Sequence, residues 1–409
     1  MNLNATGYVK FFTVLFLLIC ISINTPAQNI DVYGYFSTRL EKVWSEPSLS
    51  GSNIVEEDSP YEWSYPFLNI MMQSKQDDQF RMFINLNGSD AENISVKNFW
   101  GEFSASQSFK IRLGKIYRKF GLYNEILDAV PTYYGIEPPE LFDGDHLMIS
   151  RTTMLMVLGS FNTESGVINY SLSTDNGEGG PSKENFPIGF DLNYSFDYGN
   201  YKIGVSGYLS GGDAVPDIDL GEGSPKSGVI PWMEKDNFSV IGGYFEGYLG
   251  NLLIQTEYYT AAHEAVRDPG KVVEMLNNAN VLPAQISKYT TDPDNINESN
   301  IITNIDYDVQ TWYLRAGYSF DANIGEIGPY IQWDWYSNPE TIKEKSYGGD
   351  NEAGASDDGK FTKTTLGILY RPVPNVAVKL DQSFHFYKLN GEDVNYPEIR
   401  FDVSYTFGL

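Results

Sequence analysis

From Ile30 to Leu409 the sequence alternates apolar and polar residues in segments of about 9 to 14, and the links between those segments are sorted by length. The period-2 pattern places strands at 31–44, 66–74, 80–88, 95–105, 108–117, 152–161, 166–174, 187–197, 201–211, 237–249, 251–261, 307–320, 328–336, 361–370, 375–387 and 397–407. Odd-numbered links are mostly long: 45–65, 118–151, 212–236, 262–306 and 337–360. Even-numbered links include tight turns at Asn162 to Ser165, Tyr198-Gly199-Asn200, the Gly250-Asn251 corner and Arg371-Pro372-Val373-Pro374. A soluble sandwich has no reason to sort its links by parity. A membrane barrel does, because its strands turn tightly on the periplasmic side and carry longer loops outside. The expected fold is therefore all-β: a transmembrane antiparallel β-barrel of about 16 strands, with long extracellular loops and short periplasmic turns. An even strand count leaves both termini in the periplasm.

The faces follow from the same alternation. In Pro187 to Phe196, residues Ile188, Phe190, Leu192, Tyr194 and Phe196 share one face, and Gly189, Asp191, Asn193 and Ser195 the other. In a barrel the first set meets lipid. Aromatic residues make up 15% of the chain while mean hydropathy is negative, which suits a wall of alternating positions better than a globule with a large core. Tyr33, Trp44, Trp312, Tyr318, Trp333, Trp335 and Tyr405 fall near strand ends, where amphipathic rings suit the headgroup boundary. Beyond the N-terminus no stretch approaches the roughly 18 apolar residues of a spanning helix, and no amphipathic helix is expected outside short turns in loops.

Residues 1–27 read as a secretory signal peptide. Lys10 gives a positive start, Phe11 to Ile23 is almost unbroken apolar, and Thr25-Pro26-Ala27 offers small residues before Gln28. Residues 28–409 then form the barrel. Cys20, the one cysteine, leaves with the signal, and the mature chain crosses an oxidising compartment without disulfides. The formal charge of −26 becomes one unit more negative when Lys10 is removed. Such an exterior argues against nucleic acid, which needs clustered Lys and Arg. Acids gather in Val55 to Asp58, Asp213 to Glu222 and Asp350 to Asp358; these are solvated loop surface, with cation bridging to lipopolysaccharide phosphates as the functional alternative. Asp292, Asp294 and Glu298 hint at a calcium loop, but Ile296 and the missing central Gly break that spacing.

Inward positions include Arg39, Glu41, Arg81, Asn85, Lys110, Arg112, Arg315, Asp334, Lys379, Asp381, His385, Arg400 and Asp402. Unpaired buried charge costs several kcal/mol per ion, so a wall this polar is expected to be wet, and about 16 strands leave room for an aqueous lumen. The link 118–151 follows the string Arg112-Leu113-Gly114-Lys115-Ile116-Tyr117-Arg118-Lys119-Phe120-Gly121-Leu122-Tyr123-Asn124-Glu125. A strand ending in Gly-Lys and running into Phe-Gly and then Glu resembles Gram-negative porin-type proteins, including the phosphate-selective porin O and P family. Lys119 stands where that family commonly has Pro, and Leu122 to Asn124 are inserted before Glu125, so phosphate selectivity is not carried over. The last strand, with Ile399, Phe401, Val403, Tyr405, Phe407 and Leu409 on one face, resembles the terminal strand of outer-membrane proteins generally.

The resemblance implies an outer-membrane location among lipid and lipopolysaccharide, a homotrimer, and a third extracellular loop folded into the lumen. Loop acids would then face basic wall residues: Glu125, Asp128 and Glu137 or Glu140 against Arg39, Arg81 and Arg112. Opposed charges a solute's width apart orient dipolar solutes and disfavour apolar ones, so the expected function is a porin, a water-filled channel for passive diffusion of ions and small hydrophilic solutes. A substrate-specific channel for an organic acid, phosphate or sugar is the alternative, ahead of a barrel enzyme or an adhesin acting through 262–306. The mature chain holds His146, His263 and His385; Ser383 and His385 share a face, but two neighbours on a strand are poorly aimed for proton transfer. No two His lie at metal-ligand spacing, so neither catalysis, metal nor cofactor is expected. Energised receptors need about 22 strands and a plug, and the first strand begins directly after the signal.

Overall fold

The computed structural model describes residues 30–50, 53–64, 66–75, 78–88, 94–126, 129–140, 151–175, 186–212, 229–278, 281–342 and 352–408. The signal peptide expected at 1–27 and His146 lie outside them. Sixteen antiparallel strands form the wall: β1 (Ile30–Val43), β2 (Phe67–Lys75), β3 (Phe80–Gly88), β4 (Ile94–Ser106), β5 (Phe109–Tyr117), β6 (Arg151–Asn162), β7 (Gly166–Asp175) and β8 (Ile188–Phe196), then β9 (Tyr201–Leu209), β10 (Met233–Leu249), β11 (Leu252–Arg267), β12 (Asn304–Tyr318), β13 (Gly325–Ser337), β14 (Lys360–Val373), β15 (Val376–Leu389) and β16 (Glu392–Gly408). Each pairs with its sequence neighbours, and β16 returns to β1 in a register running from Tyr33 opposite Gly408 to Val43 opposite Glu398. Closure leaves every strand paired on both sides, which is what a spanning sheet requires where no water can satisfy an edge.

Side chains alternate as the sequence indicates. On β8, Leu192 is 48% exposed on the outer surface while Asp191 is 5% exposed on the inner one. Tyr318, Trp333 and Tyr405 are exposed, and Trp312 meets Trp333 edge-on at 4.5 Å. Tyr33 differs from expectation. It shares the inner face with Tyr35, Ser37 and Arg39 and lines an internal cavity, so it is not a belt residue.

Several strands run further than their alternation alone indicated. β10 starts at Met233, β11 continues to Arg267, and β15 joins β16 through Asn390-Gly391, whose φ values of 53° and 79° suit a tight hairpin. Between β11 and β12 lies a helix, α1 (Pro269–Asn278), that the alternation does not reveal. Asp268 caps it, its Oδ1 accepting from the backbone N–H of Gly270 at 2.9 Å and of Lys271 at 3.2 Å, and Pro269 occupies the first turn. Val272, Met275 and Leu276 form its buried stripe.

That stripe belongs to a large internal cluster. Phe238, Tyr259 and Tyr307 from the wall pack with Trp232, Met275, Tyr289 and other residues of the long links. The inner wall from β9 to β15 is thus covered, its buried rings interspersed with buried polar and charged groups, where a polar, wet surface was expected all round. The long links carry enough apolar residues to bury this arc. Burial at about 25 cal/mol per Å² favours covering such rings over leaving them in water.

Candidate functional site

The link between β5 and β6 is held by the inner wall at two places. Near its start, the backbone N–H of Gly121 donates to Ser206 Oγ on β9 at 3.0 Å, and that of Leu122 to Glu257 Oε2 on β11 at 3.1 Å. Tyr123 donates its hydroxyl to Gln255 Oε1 at 3.0 Å. Gly121 has φ +64°, and an added Cβ would collide with the Glu257 carboxylate, so only glycine lets the chain sit this close. We expect Gly121→Ala to displace this turn, read as new protease cleavage between residues 118 and 126.

The second hold is a charged clamp. Glu137 is bound by Arg39 of β1 at 3.2 Å, by Arg400 of β16, and by Lys363 of β14 at 3.8 Å. Arg39 also donates to the carbonyl of Ile136 at 3.0 Å. Lys363 contacts Glu140, whose own N–H donates to Asp334 Oδ1 of β13 at 3.3 Å. Lys379 of β15 donates to the Gly135 carbonyl at 2.8 Å, and Asp381 of the same strand accepts from the Ile136 N–H at 2.8 Å. Wall charges that would be costly to bury alone are met here by loop carboxylates and loop backbone.

The electrostatics follow from these contacts. Burial disfavours an ionised Glu137, but Arg400, then Lys363 and Arg39, outweigh it and hold the carboxyl at about 2. A carboxyl held below its unfolded value contributes stability above that value, and the contribution is lost only as the pH falls towards 2. The clamp at Glu137 is therefore expected to hold unchanged from pH 8 to pH 4, measured as constant protease protection of residues 129–140 over that range. Burial likewise opposes ionisation of Glu125, and Lys119 at 2.7 Å outweighs it, holding that carboxyl below its ordinary value.

Of the residues singled out from sequence, Arg39 and Glu137 meet directly, and Glu140 joins the same clamp through Lys363. Among the described residues, Arg81 and Arg112 form no ion pair with a loop acid. Both bind Glu102 of β4, at 2.9 and 2.7 Å, and both guanidinium groups lie over the Trp100 ring. Glu125 turns to Lys119 of its own link, and Asp128 lies outside the described residues. Glu102 and Lys363 were missed. Strand register would have found Glu102, because Arg81 and Arg112 are its direct cross-strand partners on either side. The histidines are engaged elsewhere: His263 Nδ1 with Asp236 at 2.8 Å, between the Phe238 and Tyr307 rings, and His385 Nε2 with Glu398 at 3.1 Å. Ser383 Oγ pairs with Thr365 Oγ1 at 2.9 Å.

A closed ring of sixteen antiparallel strands, apolar outside and charged inside, with a long link held against its inner wall, is the architecture of Gram-negative porin barrels of the outer membrane. Solved structures of that class share it. The chain is similar to an anion-selective porin from Comamonas acidovorans, with 11% identity over 93% of this chain and 100% of that one and a TM-score of 0.54. It is also similar to the trimer form of OmpT, an outer membrane protein of Vibrio cholerae, with 11% identity, the same coverage and a TM-score of 0.50. Likeness at this identity shows the fold. No protein-family model matches the sequence, and no curated protein matches it.

Proposed function

We propose that the protein is an outer-membrane channel through which ions and small hydrophilic solutes diffuse passively, and that the segment 118–151 narrows its lumen. The observation that carries this is the distance the segment covers around the ring. It leaves β5 and returns to β6, yet Glu137 and Glu140 are held by β1, β14 and β16, with β14 half-way round a sixteen-strand wall from β6. A surface loop would not need to bind inward side chains on the far wall. With the arc from β9 to β15 covered, the solute path runs beside β1 to β5, where Arg81, Arg112 and Lys110 give a mildly basic surface. In this reading residues 1–27 direct export, the long links face outward among lipopolysaccharide, and three copies assemble as in the trimeric relative of the same fold. The channel performs no chemistry.

Ion selectivity tests the reading. Replacing Arg81 and Arg112 together with Gln should shift the reversal potential in a salt gradient towards cations, and neutralising Glu125 and Asp128 together should shift it towards anions. Both shifts should shrink at high salt, where the Debye length falls to about 3 Å at 1 M. Unchanged reversal potentials in both variants would remove these residues from the solute path.

A further inference from the structure

The links 262–306 and 337–360 are joined to each other by one side chain. Arg267 ends β11 on the side opposite the tight Gly250-Asn251 turn, where the long links leave the wall. Its backbone N–H donates to the Thr303 carbonyl at 2.8 Å, and its guanidinium makes four hydrogen bonds. Nη1 donates to the carbonyls of Lys288 at 2.8 Å and Ile302 at 3.0 Å, both in link 262–306. Nε donates to Glu340 Oε2 of link 337–360 at 3.2 Å, and Nη2 donates to Oε1 of the same carboxylate. The guanidinium lies over the Tyr289 ring at 4.7 Å, and the paired side chains of Arg267 and Glu340 are only 2% and 6% exposed. We propose that these two links form a single cap over the outer mouth, that Arg267 is the positioning residue holding it closed, and that the cap confines entry from outside to the sector beside β1 to β5. The proposal rests on the channel reading and adds to it a size filter distinct from the segment 118–151.

A cap of packed rings alone would be easy to shift, because apolar contacts have no fixed direction. A buried arginine fork does have one, and its bonds fix how residues 288, 302 and 340 sit around the end of β11. Further ties join the same parts. Gln285 Nε2 donates to the Ser356 carbonyl at 2.8 Å and to that of Gly354 at 3.3 Å, again link to link. The Asp357 carboxylate accepts from the backbone N–H of Asn390 at 3.1 Å and of Gly391 at 2.7 Å, which fastens link 337–360 to the β15–β16 hairpin. Towards the outer end of β15, beyond the clamp residues Lys379 and Asp381, Tyr387 donates its hydroxyl to the Pro47 carbonyl at 3.0 Å, so link 45–65 borders the cap. Beneath these ties Val272, Met275 and Tyr289 of the cap share one cluster with Ala261, Tyr307 and Phe361 of the wall, and Ala261 is fully buried. Among the described residues, β2 to β8 contribute nothing to that cluster. The uncovered sector is therefore the one beside β1 to β5.

The test is sided entry of neutral polyethylene glycols of graded mass into the purified full-length protein in planar bilayers, read as the largest polymer that lowers conductance. Arg267→Met removes the fork and leaves the Glu340 carboxylate buried without its partner, which forces the links apart. Gln285→Leu cuts the second link-to-link tie and carries the test if Arg267→Met does not fold, as judged by heat-modifiable migration on gels. The variant should admit from the outer side polymers that the wild type excludes there, with the limit from the periplasmic side unchanged. An unchanged outer limit in the folded variant overturns the cap, and so does a limit that rises equally from both sides, as a barrel loosened throughout would give. If the wild type shows no conductance in any lipid, the channel reading fails by itself, and the cap is read instead from Ala261→Cys, a position buried beneath it. A membrane-impermeant maleimide should label that position when Arg267→Met is also present and not when Arg267 is intact; labelling in both backgrounds, or in neither, overturns the proposal.

Discussion

Leu192→Arg is expected to destabilise the barrel by about 2 to 4 kcal/mol, and Asn193→Arg by close to nothing. Leu192 is the central residue of β8 and faces outward, where a guanidinium would meet hydrocarbon. Asn193 faces inward and donates to Asp191 Oδ1 at 3.0 Å, so an arginine there would gain a carboxylate neighbour. The two positions are adjacent in sequence and differ only in face. Unfolding by urea from lipid vesicles, followed by heat-modifiable migration on gels, measures the difference. Equal effects, or the reverse order, would mean that the faces are assigned wrongly.

Lys363→Met should cost about 3 to 5 kcal/mol, the loss typical when one member of a buried ion pair is removed. Lys363 and Glu140 each expose only 5% of their side chains, and Lys363 also lies 3.8 Å from Glu137. Without the lysine, the clamp holds two carboxylates against β14 with one fewer cation. The double variant Lys363→Met with Glu140→Gln should recover most of the loss, because the buried charge is removed with its partner. Failure of the second change to rescue the first, in the same urea assay, would show that the cost comes from packing and not from charge.

These two sites differ in how legible they were. The face of Leu192 follows from period-2 alternation, a local property, and closure of the ring follows from counting such strands. Register is less local, and it hid Glu102: nothing in the β4 segment alone says that its carboxylate sits opposite both Arg81 and Arg112. The clamp is less local still. Lys363 and Glu140 are 223 positions apart, and only the path of a long link brings them together. α1 was legible in principle, since Asp268-Pro269 is a cap followed by a first-turn proline with a buried stripe at Val272, Met275 and Leu276. It was obscured by a link read as one long loop. The covered arc from β9 to β15 could not be read from the wall, because the residues that bury Tyr259 and Tyr307 lie in those links.

We propose that the segment 118–151 narrows the path beside β1 to β5, the arc from β9 to β15 being covered by other long links as well. Single-channel conductance of the wild type in a planar bilayer, compared with a variant lacking Thr132 to Pro139, tests it most directly. The deletion removes Ile136 and Glu137, and with them the contacts to Arg39, Arg400 and Asp381. Stable wild-type conductance steps and a clearly larger step in the variant are the predicted result. Identical steps in the two proteins, each folded by the heat-modifiability assay, would contradict the account.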